Sequence, residues 1–94
     1  YGGDKGIFAY GGGPVSLSNL VSNAGVVGTD VTGVGTARTY PGACGYGGDK
    51  GIFGYGYAGG NISLTNLVSN SGVVATDVTG VGTAREEVGA CSYK

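Results

Sequence analysis

Apolar side chains occur along this chain in short bursts set between glycines and small polar residues, a pattern that predicts strands. Residues 5–10 (Lys-Gly-Ile-Phe-Ala-Tyr) and 50–57 (Lys-Gly-Ile-Phe-Gly-Tyr-Gly-Tyr) place bulky groups between glycines, each behind a Gly-Gly-Asp turn signal. Residues 16–22 and 63–69 alternate imperfectly, with Leu17, Leu20 and Val21 apolar in the first copy. Ser22-Asn23-Ala24-Gly25 and Ser69-Asn70-Ser71-Gly72 then read as turns, since Ser and Asn bond local backbone and Gly accepts positive φ. Valine-rich residues 26–31 and 73–78 predict a third, β-branched strand. Small residues at 42–46 and 89–93 predict a fourth, suited to a crowded inner position. No segment joins helix caps to a 3.6-residue period.

These elements come in two copies. Asp30-Val31-Thr32-Gly33-Val34-Gly35-Thr36-Ala37-Arg38 returns letter for letter as Asp77-Val78-Thr79-Gly80-Val81-Gly82-Thr83-Ala84-Arg85, 47 positions on. Residues 1–10 match 46–55 at an offset of 45, with Ala9 becoming Gly54. Two residues are therefore inserted between 11–14 and 56–61, which predicts a surface loop there. Thr39-Tyr40-Pro41 against Glu86-Glu87-Val88 predicts a second exposed connection. Perfect duplication marks a repeat protein, and four short strands in about 47 residues describe one blade of a β-propeller. The units are 1–45, whose first strand is supplied from elsewhere, and 46–94, which carries 89–93 as a closing strand.

Composition narrows the alternatives. Glycine supplies 23 of 94 residues, yet without a three-residue period and with only two prolines, so a collagen helix is excluded. Plentiful Val, Ile, Leu, Tyr and Phe at low charge argue against disorder. A net charge of −1 gives no electrostatic footprint for nucleic acid or an anionic membrane. No apolar run approaches the roughly 18 residues of a membrane-spanning helix, and no signal-peptide pattern is present. The chain opens at Tyr1, which suits a processed product or a piece of a longer protein.

The candidate chemistry is sparse. Gly33-Val34-Gly35-Thr36 lacks the Lys-Ser/Thr and the following helix that a phosphate-cradling loop requires, so it reads as a connecting turn. Asp30 with Arg38, and Asp77 with Arg85, read as structural groups in which Asp caps turn backbone and Arg bridges adjacent units. Their duplication suits a scaffold better than a single active site. Histidine is absent, so no base partners a nucleophile and no imidazole ligates a metal; neither catalysis nor a cofactor is expected. Cys44 and Cys91 occupy one repeat position, ~10 Å apart if sheets stack, and are expected to be free, buried thiols. Ligand or partner contact is expected at Tyr40, Tyr57, Asn61, Glu86 and Glu87, in the segments where the copies differ. Asn61-Ile62-Ser63 also fits a glycosylation sequon, which short sequences match by chance.

Lys50-Gly51-Ile52-Phe53-Gly54-Tyr55-Gly56, then Leu64-Thr65-Asn66-Leu67-Val68-Ser69-Asn70 and Thr83-Ala84-Arg85, resemble the strand, loop and connector order of a kelch repeat. The Gly-Tyr-Gly and Asn-Leu-Val-Ser-Asn signatures are similar to tandem kelch-like arrays of bacterial and phage proteins. The kelch tryptophan is missing and its double glycine has become Gly-Tyr-Gly. The resemblance spans both copies and implies an all-β fold of two four-stranded propeller blades. The copper chemistry of some kelch-type propellers needs His ligands that this chain lacks.

Two blades do not close a propeller, which takes roughly four to eight. Completion is expected within a longer chain or by a head-to-tail ring in which each copy lends residues 89–93 to its neighbour. Three copies are the first expectation and four the second. The expected function is a structural or interaction scaffold, in a virion or cell-surface assembly rather than the cytoplasm. The alternative is a multivalent carbohydrate-binding propeller gaining by avidity, and a Gly-rich β-solenoid or fibre is the third architecture.

Overall fold

The computed structural model describes residues 1–93. It is all-β, with five strands in two antiparallel sheets. β1 (Gly6–Gly11) pairs with β2 (Val15–Val21), and β3 (Gly42–Tyr46), β4 (Lys50–Tyr57) and β5 (Asn61–Val68) form a sheet in that order. The two hairpin turns are equally long, Gly12-Gly13-Pro14 and Ala58-Gly59-Gly60, so the inserted residues do not enlarge a loop as expected; they lengthen the second hairpin by one paired step, Tyr57 with Asn61. β1–β2 and β4–β5 are the same hairpin in two copies. Both registers slip at one point, around Tyr10 and around Tyr55, where one residue faces two on the partner strand. Both tyrosines adopt φ 63°, a left-handed conformation rare for an aromatic residue.

The valine-rich returns, 26–31 and 73–78, are not strands. Each touches its hairpin only at isolated bridges, Val27 to Val21 and Val31 to Ser18, then Val74 to Val68 and Val78 to Thr65. A side-chain amide explains the interruption. Asn19 Nδ2 donates to the Gly28 carbonyl at 3.2 Å, and Asn66 Nδ2 donates to the Ala75 carbonyl at 3.1 Å. The side chain thus takes an acceptor that a regular ladder would give to backbone.

Residues 42–46 do form a strand, and its pairing runs forward. β3 aligns Gly42 with Gly54 and Tyr46 with Lys50, so it belongs to the sheet of the second copy. Residues 89–93, its counterpart, form no strand, because no further β4-like edge follows them within the described chain. The four-stranded blade expected from the sequence is accordingly a three-stranded sheet plus a bridged return in the second copy, and a two-stranded sheet plus return in the first.

The core lies between the copies. Tyr10 from the first and Phe53 and Val68 from the second are buried, flanked by Tyr1, Ile7, Ala9 and Val74. The Tyr10 and Phe53 rings meet edge to face, centroids 5.4 Å apart and planes at 66°. Phe8, the repeat counterpart of Phe53, is 65% exposed, whereas Phe53 is 6% exposed. Identical residues therefore differ in burial according to which side of the junction they occupy.

Candidate functional site

Two features stand out: the junction that joins the copies, and an edge where the differing residues gather. The junction is built from the duplicated string and the two hairpins. After the return of the first copy, Val34-Gly35-Thr36-Ala37-Arg38 runs across the hairpin of the second. The Thr36 amide donates to Asp77 Oδ1 at 3.1 Å, and the Thr36 hydroxyl donates to Asp77 Oδ2 at 2.6 Å. Asn66 Nδ2 donates to Asp77 Oδ1 at 2.9 Å, and Asn66 Oδ1 accepts from Arg38 Nη2. Arg38 Nη1 donates to the Thr36 carbonyl at 3.4 Å, and the guanidinium covers the Tyr10 ring 4.1 Å from its centroid. The Tyr10 hydroxyl donates to the Val34 carbonyl at 3.1 Å, which ties the hairpin back to the connector.

The electrostatics follow from that packing. Arg38 and Asn66 have no exposed surface. Burial pushes the Arg38 guanidinium below its ordinary range, opposed by Tyr10 and by the charge of Asp77. Burial likewise pushes the Tyr10 phenol up, with Arg38 opposing. For Asp77, burial acts upward, but hydrogen bonds from Thr36 and Asn66, with the nearby Arg38 charge, outweigh it and hold the carboxyl low. A neutral amide thus bridges a buried cation and a partly exposed anion. The chain can approach this closely because residue 35 is glycine: a Cβ there, at φ +80°, would stand 2.5 Å from both Asn66 Nδ2 and Asp77 Oδ1.

Asp30 and Arg85 have no such partners. Asp30 accepts from Asn19 at 2.9 Å, the same bond as Asp77 with Asn66. Arg85 lies over Tyr55 at 4.3 Å and donates to the Thr83 carbonyl at 3.0 Å, and both Arg85 and Asp30 are exposed. The four charged residues do not pair as Asp30 with Arg38 and Asp77 with Arg85. Arg38 instead serves the junction that contains Asp77, because the connector leaves the first copy and docks on the second.

Most of the residues expected to contact a ligand gather at one edge. Thr39 and Tyr57 exchange backbone hydrogen bonds of 2.9 and 2.8 Å, which places Tyr40 beside Tyr57 in the chain path. Tyr57 faces Asn61 across the β4–β5 hairpin, and the Glu87 amide donates to the Tyr40 carbonyl at 3.1 Å. Tyr40, Tyr57, Asn61 and Glu87 are exposed, while Glu86 is half-buried. Tyr40 and Glu87, at one repeat position, share the left-handed φ of 54° and so put different side chains on the same backbone turn point. Elsewhere, Tyr1, Tyr46 and Tyr93 line an open cleft of 470 Å³ with Lys5, Asp49 and Lys50. Its lysines are held by neighbouring carboxylates, Lys5 by Asp4 and Lys50 by Asp49, each at 2.8 Å.

Tyr10, Asn66 and Phe53 help carry the junction and were absent from the site residues expected from sequence. The usable signal was Asn66, an amide sharing its strand face with Val68. Cys44 is half-buried and Cys91 exposed, both free, so burial of both thiols is corrected: residues 89–93 lack the strand partner that covers β3. No family model matches the chain, and no curated protein matches its sequence.

Proposed function

We propose that the chain is a structural and interaction scaffold, built by adding like units side by side and presenting its differing segments to a partner. One observation carries this reading. The residues repeated letter for letter are those spent in joining the copies, while the residues that differ collect on the exposed edge around Tyr40, Tyr57, Asn61 and Glu87. A kelch-like propeller closed by three copies, or else by four, is the assembly we favour, at a virion or cell surface. Its support is the forward pairing of β3 with the next copy, a rule that can be repeated around a ring. Light scattering across a concentration series tests the scaffold: a defined multiple of the chain mass is expected, and a monomer at every concentration overturns it. A ladder of masses would point to an open fibre.

A glycan-binding role is the second reading, favoured by the exposed Tyr40 and Tyr57 rings beside the Asn61 amide and Glu87. A glycan array separates the two. Reproducible binding to one sugar class, lost in Tyr40→Ala, supports it.

A further inference from the structure

The internal junction has two unfilled halves at opposite ends of the molecule. At the trailing end, Arg85 is already stacked on Tyr55, and Thr83 is exposed beside Gly82, whose Cβ position is clear of Asn and Asp side chains. These are the groups that, as Arg38, Tyr10, Thr36 and Gly35, dock on the second copy. At the leading end, Asn19 and Asp30 are hydrogen-bonded to each other at 2.9 Å, as Asn66 and Asp77 are, but neither receives a Thr or an Arg. Phe8 is 65% exposed there, at the place where Phe53 receives the Tyr10 ring.

We infer that the trailing end of one copy seats on the leading end of a second, with Arg85 donating to the side-chain amide oxygen of Asn19 and Thr83 to the Asp30 carboxylate, as Arg38 and Thr36 donate to Asn66 and Asp77. The Tyr55 ring then covers Phe8, and residues 89–92 run beside β1 in the register that β3 takes on β4, stopping short of Lys5, whose backbone is already paired with Tyr1. The occupant is a second copy of this chain because the seat is already drawn, residue for residue, inside the molecule. The charges agree as well, a cation at the trailing end meeting an anion at the leading end. The joint is polar: one end cannot bind its own kind, so growth is head to tail and ends only where it closes on itself. This inference rests on the scaffold reading and adds to it the residues and direction of the contact.

Two charge reversals test it, both at exposed positions. Arg85→Glu blocks the trailing end and Asp30→Lys the leading end. Each alone is expected to weaken association at least about tenfold, and an equal mixture is expected to associate again, because each variant keeps one intact end. Phe8→Ser tests the leading end without charge and is expected to weaken association too. A wild type that assembles while the single variants assemble equally well overturns the joint and leaves the scaffold standing. So does a mixture that stays monomeric. A wild type that is itself monomeric overturns both.

Discussion

Arg38 and Asn66, 28 residues apart and both without exposed surface, meet through a charge-assisted hydrogen bond from Nη2 to Oδ1 that fastens one repeat to the next. The bond is buried because Tyr10 lies beneath the guanidinium and the connector beyond it is tied to Asp77. Removing either partner strands the other in a site that water does not reach.

Arg38→Ala should therefore lower unfolding stability by about 1.5–3 kcal/mol, the range for hydrogen bonds to charged groups. Arg38→Lys should recover little of it, since an ammonium cannot both stack flat on Tyr10 and reach Asn66. Arg85→Ala removes the solvent-facing copy and should cost under about 1 kcal/mol. Urea titration of the three variants in dilute solution gives the comparison, and equal losses at 38 and 85 would count against a buried junction.

The phenylalanines provide a second pair. Phe53→Ala empties the buried site that receives Tyr10 and should cost about 3–5 kcal/mol. Phe8→Ala, at a position 65% exposed, should stay within about 0.5 kcal/mol in separated chains. Thermal melts at low concentration check this, and a Phe8 loss matching that of Phe53 would mean that its face is covered.

Gly35→Ala and Gly82→Ala share a backbone penalty, their φ values being +80° and +84°. That left-handed strain is roughly 1–2 kcal/mol for an L residue. Only at 35 does the added carbon also press on Asn66 and Asp77, at 2.5 Å. A further loss of roughly 1–3 kcal/mol is expected there from overpacking. Identical destabilisation of both variants would remove the close approach as the reason for glycine.

Acidification should act on the same junction. The Asp77 carboxyl is held below its ordinary value of 3.8 in the folded chain, so it binds fewer protons folded than unfolded. Its contribution is complete above that value and is lost as pH falls from there through the folded value. Asp4 and Asp49 are also lowered, chiefly by hydrogen bonds from Lys5 and Lys50, and share the window. Denaturation midpoints measured from pH 5 to pH 2 should fall with pH, and Asp77→Asn should flatten part of that fall. An unchanged acid slope in Asp77→Asn would show that the carboxylate is not linked to folding.

The strands bounded by glycine and the turns rich in Gly, Asn and Ser were legible in the string, since both depend on local backbone preference. The length change at 56–61 was legible as well but its form was not: it adds the pair Tyr57 and Asn61 to the hairpin and leaves the turn no longer than its counterpart. The valine-rich returns were misread as strands: β-branched composition favoured pairing, but the amides of Asn19 and Asn66 occupy backbone acceptors there. Their chemistry was visible and their reach was not. Nor could the string show that Arg38 serves the junction containing Asp77, because both charged pairs are written identically and only the chain path separates them. The same holds for Cys91, which shares a repeat position with Cys44 but has no neighbouring strand to cover it.

That inequality between identical residues makes the molecule its own control. Arg38 and Arg85, Asn66 and Asn19, Phe53 and Phe8 pair a docked side chain with an undocked one in the same polypeptide, at the same temperature and in the same buffer. In a nuclear magnetic resonance spectrum the guanidinium protons of Arg38, held over a ring and away from water, should be shifted and slow to exchange. Those of Arg85 supply the reference trace in the same tube. As chains associate, the second set should migrate toward the first, so one spectrum reports both the bound endpoint and the approach to it.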